Sequence, residues 1–248
     1  MNKFAVITIH KGNKEDLIKT YVSVCKQKRL PDLYLVIGQD VSFLEKFKKK
    51  SFIKIINNHS KDQSLWDAMN IGLKLTRDYF IIFLNSGDKF LSKKSVYIIC
   101  KKINAEMAKC LIFKTNLIYK KTLFSVKKNF FYTSKYHPHP SFIRPKIKKK
   151  LYLFDSKIEL AADSLWIKKN ISEFGVKKYY IAVSDHYLGG ISSNPNYLTI
   201  SYQFKLNLKQ GLLELLKFFI KKISIKRIFY YKLIYFYKYK ISNFKYEK

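Results

Sequence analysis

The stretch from Asp62 to Asp88, DQSLWDAMNIGLKLTRDYFIIFLNSGD, constrains the fold of this chain more than any other. Leu65, Ala68, Met69, Gly72, Leu73 and Leu75 recur at helical spacing, which predicts an amphipathic helix over residues 64–76. Tyr79–Leu84, YFIIFL, is then apolar at every position, the pattern of a parallel strand buried on both faces. Asn85-Ser86-Gly87-Asp88 turns the chain and sets a carboxylate just beyond the strand. Open α/β sheets bind their ligands at that edge, outside the carboxyl ends of the strands.

The same alternation precedes this stretch. Phe4–His10 reads as a buried strand and Lys11-Gly12-Asn13 as a turn. Asp16–Gln27 carries apolar residues at helical spacing. Leu33–Ile37, ended by Gly38, and Phe52–Ile56 read as further strands. The β-α-β-β-α-β order predicts a doubly wound, mostly parallel α/β sheet flanked by helices. Beyond Lys93 the pattern loosens. A helix is expected over Val96–Ala108, strands over Leu111–Tyr119, Thr122–Lys127 and Tyr179–Val183, and a helix from Asp163 to Asn170. Pro138, Pro140 and Pro145 interrupt the chain, and Gly189-Gly190 marks a turn.

Hydrophobic residues make up 48% of the 248, enough for a substantial core. The formal net charge is +32, from 49 Lys and Arg against 17 Asp and Glu, so an anionic partner is expected. The excess is mostly Lys, a point charge rather than the bidentate fork that reads base edges. This favours a surface field over sequence readout, although the codon bias of an AT-rich genome also accounts for part of it. Cys25, Cys100 and Cys110 have no CxxC spacing and fit a reducing compartment. MNKFAVITIH runs directly into a strand pattern, so no signal peptide is expected, and no apolar run is long enough for a membrane span.

Several polar groups have two readings each. Asp88 fits a ligand for a metal-bound diphosphate, since Mg²⁺ or Mn²⁺ needs only one or two protein carboxylates when phosphates and water supply the rest; it also fits an ordinary turn. Asp67 and Asn70 lie one turn apart, opposite the apolar stripe, where with Asp62 they reach a cleft or form a solvated face. Asp163 follows Ala161-Ala162, as a general base in a tight pocket or as a helix N-cap. His137-Pro-His139-Pro140-Ser141 is a rigid segment that lines a cleft more readily than it binds zinc, because no further ligand cluster accompanies it. From about Ser201 the composition shifts. Leu212–Ile223 is amphipathic, and KRIFYYKLIYFYKYK interleaves basic and aromatic residues. That pattern suits an anionic membrane interface, single-stranded nucleic acid, or a terminal helix packed on the domain.

In their order, these motifs resemble bacterial family 2 glycosyltransferases of the GT-A fold, of the kind that builds exopolysaccharide, capsule or lipopolysaccharide. The match runs through Asp62-Gln-Ser-Leu-Trp66-Asp67-Ala68-Met69-Asn70-Ile-Gly72, Phe83-Leu84-Asn85-Ser86-Gly87-Asp88, His139-Pro140-Ser141, Ala161-Ala162-Asp163 and Gly189-Gly190-Ile191-Ser192. It covers about residues 3–195. Two positions depart from it: Ile37-Gly38-Gln39-Asp40 stands where the family has D-G-x-S, and Ser64 stands where it has glycine. The resemblance implies Asp88 as the acid that binds Mg²⁺ or Mn²⁺ and Asp163 as the catalytic base. His10 and Asp40 fall near the nucleotide-base pocket, and Asp67, Asn70, Asn85 and Ser86 line the donor site. It further implies an inverting transfer from a UDP-linked sugar to a saccharide or lipid-linked acceptor. Residues 1–200 then form the catalytic domain. Residues 201–248 form a tail on the anionic inner face of the cell membrane, with no nucleic acid involved. A basic nucleic-acid-binding protein and a non-catalytic relic of the fold are the competing expectations.

Overall fold

The computed structural model describes residues 2–47, 51–57, 64–106, 108–119, 128–130, 139–147, 150–157 and 162–188, together with Leu212, Leu215 and Leu216. The chain divides into two compact units, residues 1–118 with 126–187, and residues 119–125 with 188–248. Asp62, His137, Ala161, the strand expected over Thr122–Lys127, the Gly189-Gly190 turn and nearly all of the tail lie outside the described residues.

The first unit holds the sheet. Its strands are β1 (Phe4–His10), β2 (Leu33–Gly38), β3 (Ile53–Asn57), β4 (Phe80–Phe83), β5 (Lys89–Phe90), β6 (Cys110–Tyr119), β7 (Lys128–Phe130), β8 (Phe142–Arg144) and β9 (Val176–Leu188). Its helices are α1 (Lys14–Cys25), α2 (Leu65–Leu75), α3 (Ser95–Ala105) and α4 (Ala162–Phe174). The strand order is β3-β2-β1-β4-β8-β6-β9-β5, with β7 on β6. β3, β2, β1 and β4 run parallel. At β4 the sheet changes character. One edge pairs in parallel with β1, while the other pairs antiparallel with β8, Ile81 opposite Arg144. YFIIFL is central, as its composition predicts, but it joins a parallel half to an antiparallel one.

Side chains alternate across the strands, as the two-residue period requires. Phe4 and Val6 of β1 enter one core with Leu17, Tyr21 and Val24 of α1 and Val96, Ile99 and Ile103 of α3. Ala5, Ile7 and Ile9 enter the other with Trp66, Met69 and Leu73 of α2 and Trp166 and Ile167 of α4. The second core carries a pile of aromatic rings. Phe154 stacks on Trp66 at 5.4 Å and on Trp166 at 4.8 Å, and Phe83 and Phe142 meet Trp166 edge-on at 5.9 and 5.5 Å. Trp166 also donates its indole N–H to the Tyr152 carbonyl at 2.8 Å. The loop over residues 150–157 and α4 are thereby fixed against α2 and β4.

Helix α2 begins with a capping box. Ser64 Oγ accepts from the Asp67 amide at 3.2 Å, and Asp67 Oδ2 accepts from the Ser64 amide at 3.1 Å and from its hydroxyl at 2.8 Å. The departure from the family pattern at Ser64 therefore supplies a side-chain cap that glycine lacks. Ser64→Ala is expected to lower stability by about 1 kcal/mol in urea unfolding, and Ser64→Gly by only a few tenths. Equal midpoints for Ser64→Ala and the parent would show that the cap contributes nothing.

Candidate functional site

The site begins where β4 ends. The β1–β4 ladder continues past Phe83 through Leu84 N–H to the Ile7 carbonyl at 2.9 Å and Ser86 N–H to the Ile9 carbonyl at 3.1 Å. Gly87 then takes φ 101°, a backbone region that a side chain disfavours, and the turn closes with Asp88 N–H on the Asn85 carbonyl at 2.9 Å. Thr20 of α1, fully buried, grips this turn from below. Its hydroxyl donates to the Asp88 carbonyl at 2.7 Å and accepts from the Gly87 amide at 2.9 Å. Thr20 was not apparent from sequence, because nothing in a helical pattern marks one buried hydroxyl as the partner of a turn far along the chain.

The Asp88 side chain is buried, 4% exposed, yet carries an acid's acceptors. Oδ1 accepts from the Tyr187 amide and pairs with His186 Nδ1, both at 3.0 Å. The β5–β9 register, Lys89 opposite Asp185, brings these residues together across 98 positions of sequence. Burial pulls the His186 imidazole down, but the charge and hydrogen bond of Asp88, with the charge of Asp163, outweigh it and hold His186 above its ordinary 6.5. Asp163 is thus electrostatically close to the pair. It lies in the first turn of α4, one residue inside the helix rather than at the N-cap, and its Oδ1 accepts from the Ser164 amide at 2.7 Å. His186 escaped the sequence reading. Its one signal was a histidine near the end of an apolar strand, beside Asp185, and only register gives it a meaning.

A second group lies at the ends of β1 and β2. His10, 3% exposed, places Nδ1 3.0 Å from Ser86 Oγ. Burial lowers its pKa, against the upward pull of Asp40 and Asp16. β1 and β2 meet so closely here that a Cβ on Gly38 would stand 2.3 Å from the His10 carbonyl oxygen, so this position admits glycine alone. Asp40 follows with φ 52°. Among the described residues Asn85 Oδ1 is buried without a hydrogen-bond partner, an acceptor at the turn that a ligand hydroxyl would satisfy.

Asp67 and Asn70 are held otherwise. Asp67 serves the capping box, and the Asn70 carboxamide bonds the Phe154 main chain twice, Nδ2 to the carbonyl at 2.9 Å and Oδ1 from the amide at 2.8 Å. Both side chains are thus engaged within α2 and with the loop over residues 150–157. His139 begins a short 3-10 turn, His139–Ser141, whose Pro140 carbonyl accepts from the Ser184 hydroxyl of β9.

For a divalent cation the donor set fits. Asp88 offers a carboxylate whose Oδ2 accepts no hydrogen bond among the described residues, and His186 would offer an imidazole nitrogen once the cation displaces the proton that Asp88 favours there. Among the described residues no cluster of three His, Cys, Asp or Glu exists, so a cation here would depend on phosphate and water for its remaining ligands, as Mg²⁺ and Mn²⁺ commonly do.

Solved structures share this fold. S. aureus TarS 1–349 aligns with a TM-score of 0.62 at 16% identity, over 75% of this chain and 60% of that one. The same portion in complex with UDP-GlcNAc aligns at 0.62 and 15%, over 81% and 64%. Its complex with UDP aligns at 0.61 and 17%, over 91% and 73%. These likenesses establish the fold, a mixed α/β sheet flanked by helices of GT-A type. The chain spans about 60% of the length of the first of these TarS structures. No protein-family model matches the sequence, and no curated protein does.

Because His10 is held below its ordinary 6.5, the unfolded chain takes up a proton where the folded one does not. Its stabilising contribution is therefore full above that value and is lost as pH falls through the depressed folded pKa. Unfolding midpoints should drop on acidification from about pH 7 to about pH 5, and His10→Asn should shrink that drop. Parallel curves for parent and variant would contradict the assignment.

Proposed function

We propose that this protein is an inverting glycosyltransferase that moves a sugar from a nucleoside-diphosphate donor, UDP-linked, to a saccharide or lipid-linked saccharide acceptor in surface polysaccharide synthesis. The observation that carries the reading is the pairing of the buried Asp88 with His186 just beyond the carboxyl end of β4, on which the charge of Asp163 also acts. The glycosyltransferase fold shared with TarS, which is seen with UDP-GlcNAc and with UDP, supports it.

In this mechanism Asp163 takes the proton from the acceptor hydroxyl as that oxygen attacks the anomeric carbon. It lies in the first turn of α4, where the helix dipole favours negative charge. Asp88 and His186 would hold Mg²⁺ or Mn²⁺, which supplies Lewis-acid stabilisation of the departing diphosphate. Asn85, Ser86, His10 and Asp40 line the donor side, where a neutral His10 and the Asn85 carbonyl present acceptors to hydroxyl and base groups. The basic aromatic segment beyond Ser201 carries the enzyme to an anionic membrane surface at the cytoplasmic face, where lipid-linked acceptors reside. Among the described residues no helix is long and apolar enough to cross a membrane.

The test is a screen of nucleotide sugars for released diphosphate, with membranes of the source cell as acceptor. Asp88→Asn should abolish metal-dependent release and also lower the thermal midpoint, because it takes from His186 its buried charged partner; full activity in saturating Mn²⁺ would refute the metal assignment. Asp163→Asn should lower turnover by about 10²–10⁴-fold with nucleotide affinity intact. A loss of affinity matching the loss of rate would place Asp163 in the donor pocket instead. Truncation after Pro195 should remove most salt-sensitive binding to anionic vesicles, and undiminished binding would exclude the tail as anchor.

A further inference from the structure

We infer that Asn70 is a positioning residue of the transfer reaction: its two-point grip on the Phe154 main chain sets the aromatic stack on which α4 presents Asp163. The inference rests on the proposed role of Asp163 as base.

The grip satisfies one residue completely. Asn70 Nδ2 donates to the Phe154 carbonyl at 2.9 Å and Oδ1 accepts from the Phe154 amide at 2.8 Å. This reproduces the reciprocal bonding of an antiparallel strand pair, at a segment that pairs with no strand among the described residues. A primary carboxamide is the side chain that offers donor and acceptor side by side. Aspartate lacks the donor, and glutamine places the same group one methylene further out. With its backbone held from α2, Phe154 is 3% exposed and sits between Trp66 and Trp166, stacked on both at interplanar angles of 23° and 24°. Trp166 bonds back to Tyr152 through its indole N–H. The loop therefore links α2 to α4 twice, through main-chain bonds on one side and through ring stacking with an indole bond on the other.

Trp166 lies three residues after Asp163, on the neighbouring strip of the helix surface. A shift of Phe154 thus moves the first turn of α4 and, with it, the carboxylate that acts on His186. Asn170, buried on α4, bonds among the described residues to the Trp166 carbonyl of its own helix and offers no alternative tether. A misplacement of about 1 Å in a reacting group costs on the order of 10²-fold in rate, so a grip remote from the chemistry acts on turnover.

The experiment uses the full chain, with Asn70→Ala and Asn70→Asp made singly and in combination with Asp163→Asn. Turnover, UDP affinity and thermal midpoint are measured on each. Asn70→Ala should lower turnover by about 10- to 100-fold, leave UDP affinity unchanged, and cause no further loss in the Asp163→Asn background. Asn70→Asp, which keeps the acceptor for the Phe154 amide, should fall between parent and alanine variant. Weakened UDP binding would place Asn70 in the donor pocket and overturn the inference. So would an equal fold-loss of turnover in both backgrounds, which marks a role independent of Asp163. If the alanine variant does not fold, the aspartate variant is read by the same criteria, and its failure to fold as well would make the grip a folding element and refute the proposal. Parent-like activity of Asp163→Asn alone would instead remove the base assignment, a result that does not involve Asn70.

Discussion

β4 is short, and both of its edges are committed. Phe80–Phe83 takes parallel hydrogen bonds from β1 and antiparallel ones from β8. A strand in that position cannot end gradually. Its ladder with β1 runs on through Leu84 and Ser86, and the chain then has to leave the sheet within the span of one turn. Gly87 makes the turn possible and Thr20 holds it. Asp88 therefore emerges at a fixed point between the parallel half, which carries His10 and Asp40, and the antiparallel half, which carries His186. The site is a consequence of joining two kinds of pairing at a single strand.

Burying charge in a protein of net charge +32 requires partners of several kinds. Asp88 is met by a backbone amide and an imidazole. Its neighbour across the ladder, Asp185, is met by Asn116 at 2.8 Å and by Lys89 at 3.5 Å. At the far end of β4 the fully buried Arg144 donates from Nη2 to the carbonyls of Thr76, the C-cap of α2, and of Tyr79, and its Nε and Nη1 have no hydrogen-bond partner among the described residues. Burial brings its pKa down to about 9, against the pull of Cys110 and with the push of Arg77. The contrast is informative. Each acid meets one ionisable group at the edge of the candidate site, while the buried cation meets only main-chain carbonyls, just beyond α2, at the opposite edge among the described residues.

Much of this was legible in one dimension. The apolar runs of β1, β2 and β4 and the helical spacing of α1 and α2 follow from burial on two faces or on one, and the structure reproduces them to within a few residues. Asp67 shows where such reading stops. Its position opposite the apolar stripe was correctly inferred, but that position is compatible with a cleft, with solvent or with a cap, and the choice lies in the conformation of Ser64. Asn70 is similar. Its partner, Phe154, is 84 residues distant and belongs to a loop without periodicity.

What the sequence by itself determined is local: which segments are apolar on one face or two, where glycine allows the chain to turn, and which acid follows the buried strand. These depend on side-chain chemistry and on backbone freedom at neighbouring positions, both of which are present in the order of residues. Tertiary structure alone decided that the sheet changes from parallel to antiparallel at β4, that β9 pairs with β5 in the register that sets His186 against Asp88, and that a loop carries the placement of α4. Those outcomes depend on contacts between residues far apart in the chain, from Ile82 and Ile143 to Asp88 and Tyr187, whose geometry exists only once both cores have closed.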